Sequence, residues 1–131
     1  MKRELRPGRI ERGLKARLDG RRAEWIAALL LMAKGYRILG MRLRTPQAEV
    51  DLAAVRGAVL AVVEVKRRRT LEEALLAVSP AQRGRLTRAG RALAARLGRN
   101  TPPVVRLDLV ALAPGRWPRH IADAWSEGRL G

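Results

Sequence analysis

Cysteine and phenylalanine are absent from this sequence of 131 residues, and aromatic side chains of any kind are scarce. Without cysteine, neither a disulfide framework nor a thiolate metal site can form, which is typical of a reducing cytoplasm. Three Trp and one Tyr are the entire aromatic content, so the core must be built from Leu, Val, Ile and Ala. The single histidine, His120, has no partner at ligand spacing and is interpreted as a surface residue.

A long hydrophobic run is also missing. The apolar stretch at residues 25–33 is far shorter than the ~20 residues that a transmembrane helix needs. We interpret it as part of a buried first helix over residues 21–34, ended by Gly35. The sequence thus predicts one globular domain at residues 21–126, preceded by a flexible basic arm at residues 1–20 with a short helix at 10–18 and followed by a flexible tail at 127–131. We expect no membrane insertion and a cytoplasmic location.

Negative charge is the third scarcity. Twelve Asp and Glu face 28 Lys and Arg, which gives a net charge of +16. A domain this small and this basic indicates a polyanionic partner, and nucleic acid is the first candidate, DNA before RNA. Nearly all the cations are Arg, whose guanidinium makes forked contacts to phosphate.

Three of the twelve acids, together with one lysine, lie in an otherwise apolar segment, residues 48–66. Arg56-Gly57 interrupts two stretches rich in Val and Leu, a pattern that predicts a β-hairpin. Because side chains alternate along a strand, Glu49 and Asp51 share one face, and so do Glu64 and Lys66. Carboxylates packed together repel each other, and a divalent cation such as Mg²⁺ or Mn²⁺ would relieve that repulsion.

The turn decides whether the two pairs of side chains meet. A two-residue loop at Arg56-Gly57 would place Glu49 opposite Glu64 with Asp51 on the diagonal. A four-residue loop would place Asp51 directly opposite Glu64, whereas a three-residue loop would send the pairs to opposite faces.

Asp51 followed by Glu64-Val65-Lys66 resembles the PD-(D/E)xK signature of restriction-endonuclease-like nucleases. More closely, the ordered set of motifs resembles the small bacterial YraN family, also called UPF0102. The motifs are Ala23-Glu24-Trp25-Ile26-Ala27, Gly35-Tyr36-Arg37-Ile38-Leu39, Ala48-Glu49-Val50-Asp51-Leu52, Val63-Glu64-Val65-Lys66-Arg67-Arg68 and Arg106-Leu107-Asp108-Leu109.

This resemblance implies an α/β fold with a restriction-endonuclease-like core, αβββαβ, in which a mixed sheet is flanked by helices. It also implies a metal-dependent DNA endonuclease in which Asp51, Glu64 and Lys66 are catalytic. Asp51 and Glu64 would bind Mg²⁺ or Mn²⁺ with the help of the Val65 carbonyl, supported by Glu49 and Glu24. A simpler interpretation of Glu24 is an acid that favours the first turn of a helix.

Arginine clusters predict the DNA contacts. Arg67, Arg68 and Arg69 follow the strand that carries the site, and a helix opened by Ser79-Pro80 has no acid between residues 81 and 99. Asp108, in a strand over residues 104–111, is interpreted as a structural partner of an arginine such as Arg106. The predicted DNA-contacting residues are Arg67, Arg68, Arg69, Arg42, Arg44, Arg83, Arg85 and Arg88.

Other functions remain open on the sequence alone. A non-catalytic nucleic-acid-binding module on a nuclease-like fold would explain the same charge, as would a basic protein that binds ribosomes or membrane surfaces. The shortage of aromatic residues argues against sequence reading on single strands. Branched or structured duplexes, bound by a homodimer, are the substrates expected by analogy with resolvases.

Overall fold

Helices and strands follow one another in the order predicted, with a short helix and a short strand added in the C-terminal half of the chain. The computed structural model describes residues 7–126, with side chains described from residue 20 onward. The elements are α1 (Pro7–Ala33), β1 (Arg37–Arg44), β2 (Glu49–Arg56), β3 (Val59–Arg67), α2 (Leu71–Leu76), α3 (Pro80–Arg96), β4 (Val104–Leu112) and β5 (Arg119–Ile121). The strands form one sheet in the order β1-β2-β3-β4-β5, in which only β3 and β4 pair in parallel among these five strands. The α/β class and the mixed sheet are therefore confirmed.

The first helix is longer than the sequence pattern indicated. It begins at Pro7, so residues 7–20, assigned above to a flexible arm, are helical; residues 1–6 and the tail at 127–131 lie outside the described residues. Proline suits the first helical position, and an interior glycine costs only about 1 kcal/mol relative to alanine, which a tertiary context can offset. Gly35 ends the helix as expected, with φ +91°, and the Tyr36 amide donates to the Leu31 carbonyl. Within the described ranges, no helix is both long and apolar enough to cross a membrane.

The β2–β3 turn lies one residue later than predicted. Its two central residues are Gly57 and Ala58, because Arg56 already pairs with Val59. Gly57 has φ +60°, the conformation that a type II′ hairpin turn requires at its first central position. The ladder continues to Leu52 opposite Val63, and one further step places Asp51 opposite Glu64. This is the register expected above for the four-residue loop.

The two long helices cover opposite faces of the sheet. Buried residues of α1 (Ala27, Ala28 and Leu31) pack on one face with Leu52 and Val63. On the other face, Leu86 and Ala89 of α3 pack against strand residues that include Leu60 and Val62. The α3 helix begins as predicted, since the Ser79 side chain accepts a hydrogen bond from the Gln82 amide.

One glycine sets how closely α3 approaches the sheet. A Cβ on Gly90 would lie 2.6 Å from Val105 Cγ1 and 2.7 Å from Val62 Cγ2, distances that packed atoms do not tolerate. The helix therefore contacts β3 and β4 directly through its backbone, which holds the strand that carries Glu64 and Lys66.

Candidate functional site

The β2–β3 ladder ends where the predicted acidic residues begin. Pairing stops at Leu52 opposite Val63, and beyond it the Val65 amide donates to Asp51 Oδ2 at 2.9 Å. The carboxylate of Asp51 thus replaces a main-chain acceptor at the point where the two strands stop pairing. One of its two oxygens is held in a fixed position as a result.

Glu64 is buried beside Asp51, and little positive charge balances its carboxylate. Only 3% of the residue is exposed, and Lys66 Nζ lies 3.7 Å from Glu64 Oε2, an ion pair too long to be a hydrogen bond. Burial, together with the negative charge of Asp51, raises the pKa of Glu64 to about 7, against the opposing effect of Lys66. The side chain therefore changes protonation state near neutral pH.

The pKa of Asp51 is also raised. Burial raises its pKa, the hydrogen bond from the Val65 amide opposes that rise, and the charges of Glu24 and Glu49 add to it. Two carboxylates, those of Asp51 and Glu64, therefore lie together at one end of the β2–β3 pair. Such a cluster favours a divalent cation because the cation replaces repulsion by attraction.

The two supporting acids do not converge on that pair. Arg42 Nε donates to Glu24 Oε1 at 2.6 Å. The backbone of Arg42 has φ +52°. Glu49 is exposed, and Arg44 Nε lies 3.7 Å from its Oε2. In the part of the chain that the structure describes, no group of three or more His, Asp or Glu side chains could hold a metal ion together. Glu24 and Glu49 each lie beside an arginine, whereas Asp51 and Glu64 lie beside each other.

The arginines predicted to contact DNA have different environments. Arg42 and Arg44 lie beside acids, as described, and Arg83 is half-buried with its guanidinium 5.9 Å from the centre of the Trp125 ring. Arg85 and Arg88 are exposed on α3. Arg67, Arg68 and Arg69 line a groove of about 480 Å³ at the end of β3, together with Arg22 of α1. Four arginines therefore line one groove, and three of them are predicted DNA contacts.

A second buried acid belongs to a different network. Asp108 accepts hydrogen bonds from Arg106 Nε and Nη2, both at 2.8 Å, from the Asp123 amide at 3.0 Å, and lies 2.8 Å from His120 Nε2. The predicted Asp108–Arg106 pair is confirmed. Burial would raise the pKa of Asp108, but the hydrogen bonds from His120, Arg106 and the Asp123 amide together lower it below its usual range.

The interpretation of His120 as a surface residue is wrong. Its side chain is nearly inaccessible, and its ring meets Tyr36 edge-on with centroids 5.9 Å apart. Pairing of β5 with β4 places His120 opposite Val110, on the same face as Asp108. Only the register of that short edge strand could have revealed the contact, since the two residues are twelve positions apart in sequence.

Fold and site together define an α/β protein in which two acids and a lysine lie where neighbouring antiparallel strands separate. A family model described as "Uncharacterised protein family UPF0102" matches residues 23–112, a span that contains all of these side chains. The chain belongs to the UPF0102 family.

Relatives in several bacteria extend over almost the whole chain. A UPF0102 protein of Caulobacter vibrioides (strain NA1000 / CB15N) is 64% identical over 117 residues, covering 89% of this chain and 94% of the relative. The corresponding protein of Parvibaculum lavamentivorans is 47% identical over 123 residues, with 94% and 92% covered. One from Sinorhizobium fredii is 44% identical over 125 residues, with 95% and 100% covered.

Proposed function

We propose that this protein is a metal-dependent DNA endonuclease with a restriction-endonuclease-like core, acting on duplex DNA that includes branched or structured forms. The observation that carries the proposal is the juxtaposition of Asp51, Glu64 and Lys66 at the open end of the β2–β3 ladder. Two carboxylates beside one ammonium group are the residue types that metal-assisted phosphodiester hydrolysis needs.

The two carboxylates fit Mg²⁺ or Mn²⁺ better than a cation that needs an all-protein cage. Mg²⁺ is commonly bound through one or two carboxylates, with waters and substrate phosphate oxygens completing its shell. Asp51 and Glu64 provide that number of ligands, and their raised pKa values support a site that gains from positive charge. When bound, such an ion would polarise the phosphodiester and make a water molecule more acidic.

The side chains of the protein then have distinct roles. The Val65 amide orients Asp51 through the 2.9 Å hydrogen bond, and burial withholds the competing water that would otherwise solvate Glu64. Lys66, close to Glu64 but still partly exposed, can place its ammonium group against a phosphate oxygen and stabilise the charge that develops there. Hydrolysis breaks one P–O bond and joins the water oxygen to phosphorus.

DNA binding is assigned to the arginine-rich surfaces. A net charge of +16 supplies strong, salt-dependent attraction to phosphate whatever the base sequence. Arg67, Arg68 and Arg69 follow directly after Lys66 on the same strand and its continuation. They would hold the DNA backbone beside the bond to be cleaved.

A cleavage assay tests the proposal. Supercoiled plasmid and a four-way junction would be incubated with the full chain in Mn²⁺ or in EDTA, comparing the native protein with Glu64→Gln and Lys66→Met. We expect metal-dependent cleavage that falls by about 10²–10³-fold in each variant, the usual effect of removing one electrostatic contributor. Glu72→Gln, an exposed acid in the first turn of α2, is the matched control and should cleave normally.

The assay also distinguishes a nuclease from a protein that only binds nucleic acid. Cleavage that survives in both site variants would indicate a contaminating nuclease. Junction binding without cleavage in any metal would instead support a non-catalytic nucleic-acid-binding module, a function that the arginine groove alone could provide.

A further inference from the structure

A basic groove in two adjoining parts crosses the ends of β3 and β4. Its first part is the 480 Å³ depression between α1 and the end of β3, and its second part has a volume of about 230 Å³ and reaches the turn before β5. The two parts share Arg68, Arg69, Leu112 and Ala113. The two parts therefore adjoin at these four residues.

The charge of the groove is of one sign. Arg22 and Arg67 line the first part and Arg116 and Arg119 the second, in addition to the shared arginines. Among the described residues, no Asp or Glu contributes to either lining. Glu73 approaches only from the rim, 3.9 Å from Arg69 Nε, in an exposed ion pair of the kind that contributes little. A ligand with regularly spaced negative charges fits such a surface.

An exposed tryptophan stands in the second part. Trp117 is 89% exposed, follows Arg116 directly in sequence, and lies in the turn that contains Gly115 at φ +71°. An indole held in water makes no use of its large apolar face, whereas a nucleobase stacked on it would bury that face. Such stacking contributes about 1–3 kcal/mol per base without sequence preference.

An unpaired base can use Trp117 in this way, whereas a base inside a duplex cannot. In a duplex, each base is already stacked between its neighbours, and the phosphates rather than the base faces are presented to the protein. The combination of an arginine lining and a free indole therefore distinguishes single-stranded from double-stranded ligands. Stacking of this kind needs no reading of sequence.

We infer that the groove formed by Arg68, Arg69, Arg116, Arg119 and Trp117 binds a single-stranded segment that leaves the duplex near the cleavage site, with one unpaired base stacked on Trp117. The inference rests on the proposed function for its choice of nucleic acid as the partner. Arg68 lies four residues after Glu64 along the chain, about 13 Å for an extended strand. The preferred substrates would then be branched or tailed duplexes with unpaired nucleotides rather than intact duplex.

Equilibrium binding in EDTA tests this inference independently of cleavage. Fluorescence anisotropy would compare a labelled oligo(dT) strand, a blunt duplex, and the same duplex with an oligo(dT) tail. Trp117→Ala should weaken binding of the strand and of the tailed duplex by about 5–150-fold, the equivalent of one lost stacking contact. Blunt duplex and heparin, which offer no unpaired base, should bind within twofold of the native protein.

Two further variants sharpen the result. Trp25→Ala removes the other strongly exposed tryptophan, 56% accessible on α1, and should leave all four affinities unchanged. Trp117→Phe should recover part of the single-strand affinity because it restores an aromatic face. Replacing Arg116 or Arg119 by Ala should lower the slope of affinity against salt concentration by about one.

The outcomes separate this inference from the proposed function. Equal loss of strand, blunt-duplex and heparin binding in Trp117→Ala, or no loss at all, would overturn the groove assignment while leaving metal-dependent cleavage intact. Conversely, strand binding that depends on Trp117 in a protein that never cleaves DNA would uphold the groove and refute the nuclease.

Discussion

Two buried acids on neighbouring strands, Glu64 on β3 and Asp108 on β4, have pKa values shifted in opposite directions. The parallel register pairs Val63 with Asp108 and Glu64 with Leu109, so the two carboxylates point to opposite faces of the sheet. Asp108 is 0% exposed and accepts hydrogen bonds from the Arg106 guanidinium, the His120 ring and the Asp123 amide, and these bonds lower its pKa. Glu64 is 3% exposed with one ion pair at 3.7 Å, and its pKa rises to about 7.

The difference shows that burial alone does not indicate what an acid is for. Donors already in place around Asp108 balance its charge, so that it serves the fold by joining β4, β5 and, through the Arg106–Tyr36 hydrogen bond, the start of β1. Glu64 is desolvated but incompletely balanced, which costs stability unless a cation arrives. An acid kept in that condition is a candidate for binding or catalysis.

The largest expected effect comes from Asp108. Asp108→Asn keeps the shape but removes the charge that balances Arg106, and we expect the free energy of unfolding to fall by about 3–5 kcal/mol, as for other broken buried pairs. Urea unfolding at pH 7 measures it, with Glu72→Gln as an exposed control that should change stability by less than about 0.5 kcal/mol. A loss of stability as small as that of the control would contradict a structural role for Asp108.

Metal binding should give the next largest effect. Mn²⁺ at 100 times its dissociation constant should raise the free energy of unfolding by about 2.7 kcal/mol, by mass action on the native state alone. If the Mn²⁺ concentration is set in this way at pH 8 and then held constant, the rise should be smaller at pH 6, because protons compete for Glu64 at its pKa of about 7. Thermal melting at both pH values, with Glu64→Gln as the variant that loses the effect, checks the prediction. An equal shift in that variant would place the ion elsewhere.

Neutralising Glu64 should act in the opposite direction to neutralising Asp108. The folded pKa of Glu64 is raised above its unfolded value of 4.5, so its charge costs nothing below the unfolded pKa and destabilises fully once the pH exceeds about 7. Without metal, Glu64→Gln should therefore stabilise the protein at pH 8, by on the order of 2 kcal/mol. The gain should vanish near pH 4.5. Denaturant melts in EDTA at the two pH values measure it, and a variant less stable than the native protein at pH 8 would contradict the assignment.

The smallest expected effect concerns Arg42. Removing it by Arg42→Met frees the Glu24 carboxylate and makes the surroundings of Asp51 more negative, so Mn²⁺ should bind more tightly, by about two- to fivefold. The free energy of unfolding should change little, since the pair is partly exposed to solvent. Titration calorimetry gives the affinity. Weaker binding would show that Arg42 orients the site instead of opposing it.

Local patterns in the sequence predicted the parts of the site that lie on one strand or in one hairpin. Alternation fixed Glu64 beside Lys66, and the Arg106–Asp108 spacing of two residues placed that pair on one face. The turn lies one residue later than predicted because Arg56-Gly57 and Gly57-Ala58 both contain the glycine that a tight turn favours, and only the pairing of Arg56 with Val59 distinguishes them. Both of these turns keep Asp51 and Glu64 on a common face, so the error did not reach the site.

Contacts between distant elements escaped prediction. The pairing of Glu24 with Arg42 joins residues 18 positions apart and depends on how α1 lies over β1. The burial of His120 depends on the register of a three-residue edge strand. Neither leaves a periodic signal, because each is decided by tertiary packing.

The hydrogen bond from the Val65 amide to Asp51 affects how any substitution at that position must be judged. Asp51 both carries a negative charge and joins two strands through this hydrogen bond. Asp51→Ala would therefore remove a candidate metal ligand and destabilise the hairpin at the same time. Asp51→Asn retains a carbonyl oxygen for the amide to engage while abolishing the negative charge. The two replacements, compared in the same cleavage and unfolding experiments, divide the contribution of residue 51 to chemistry from its contribution to architecture.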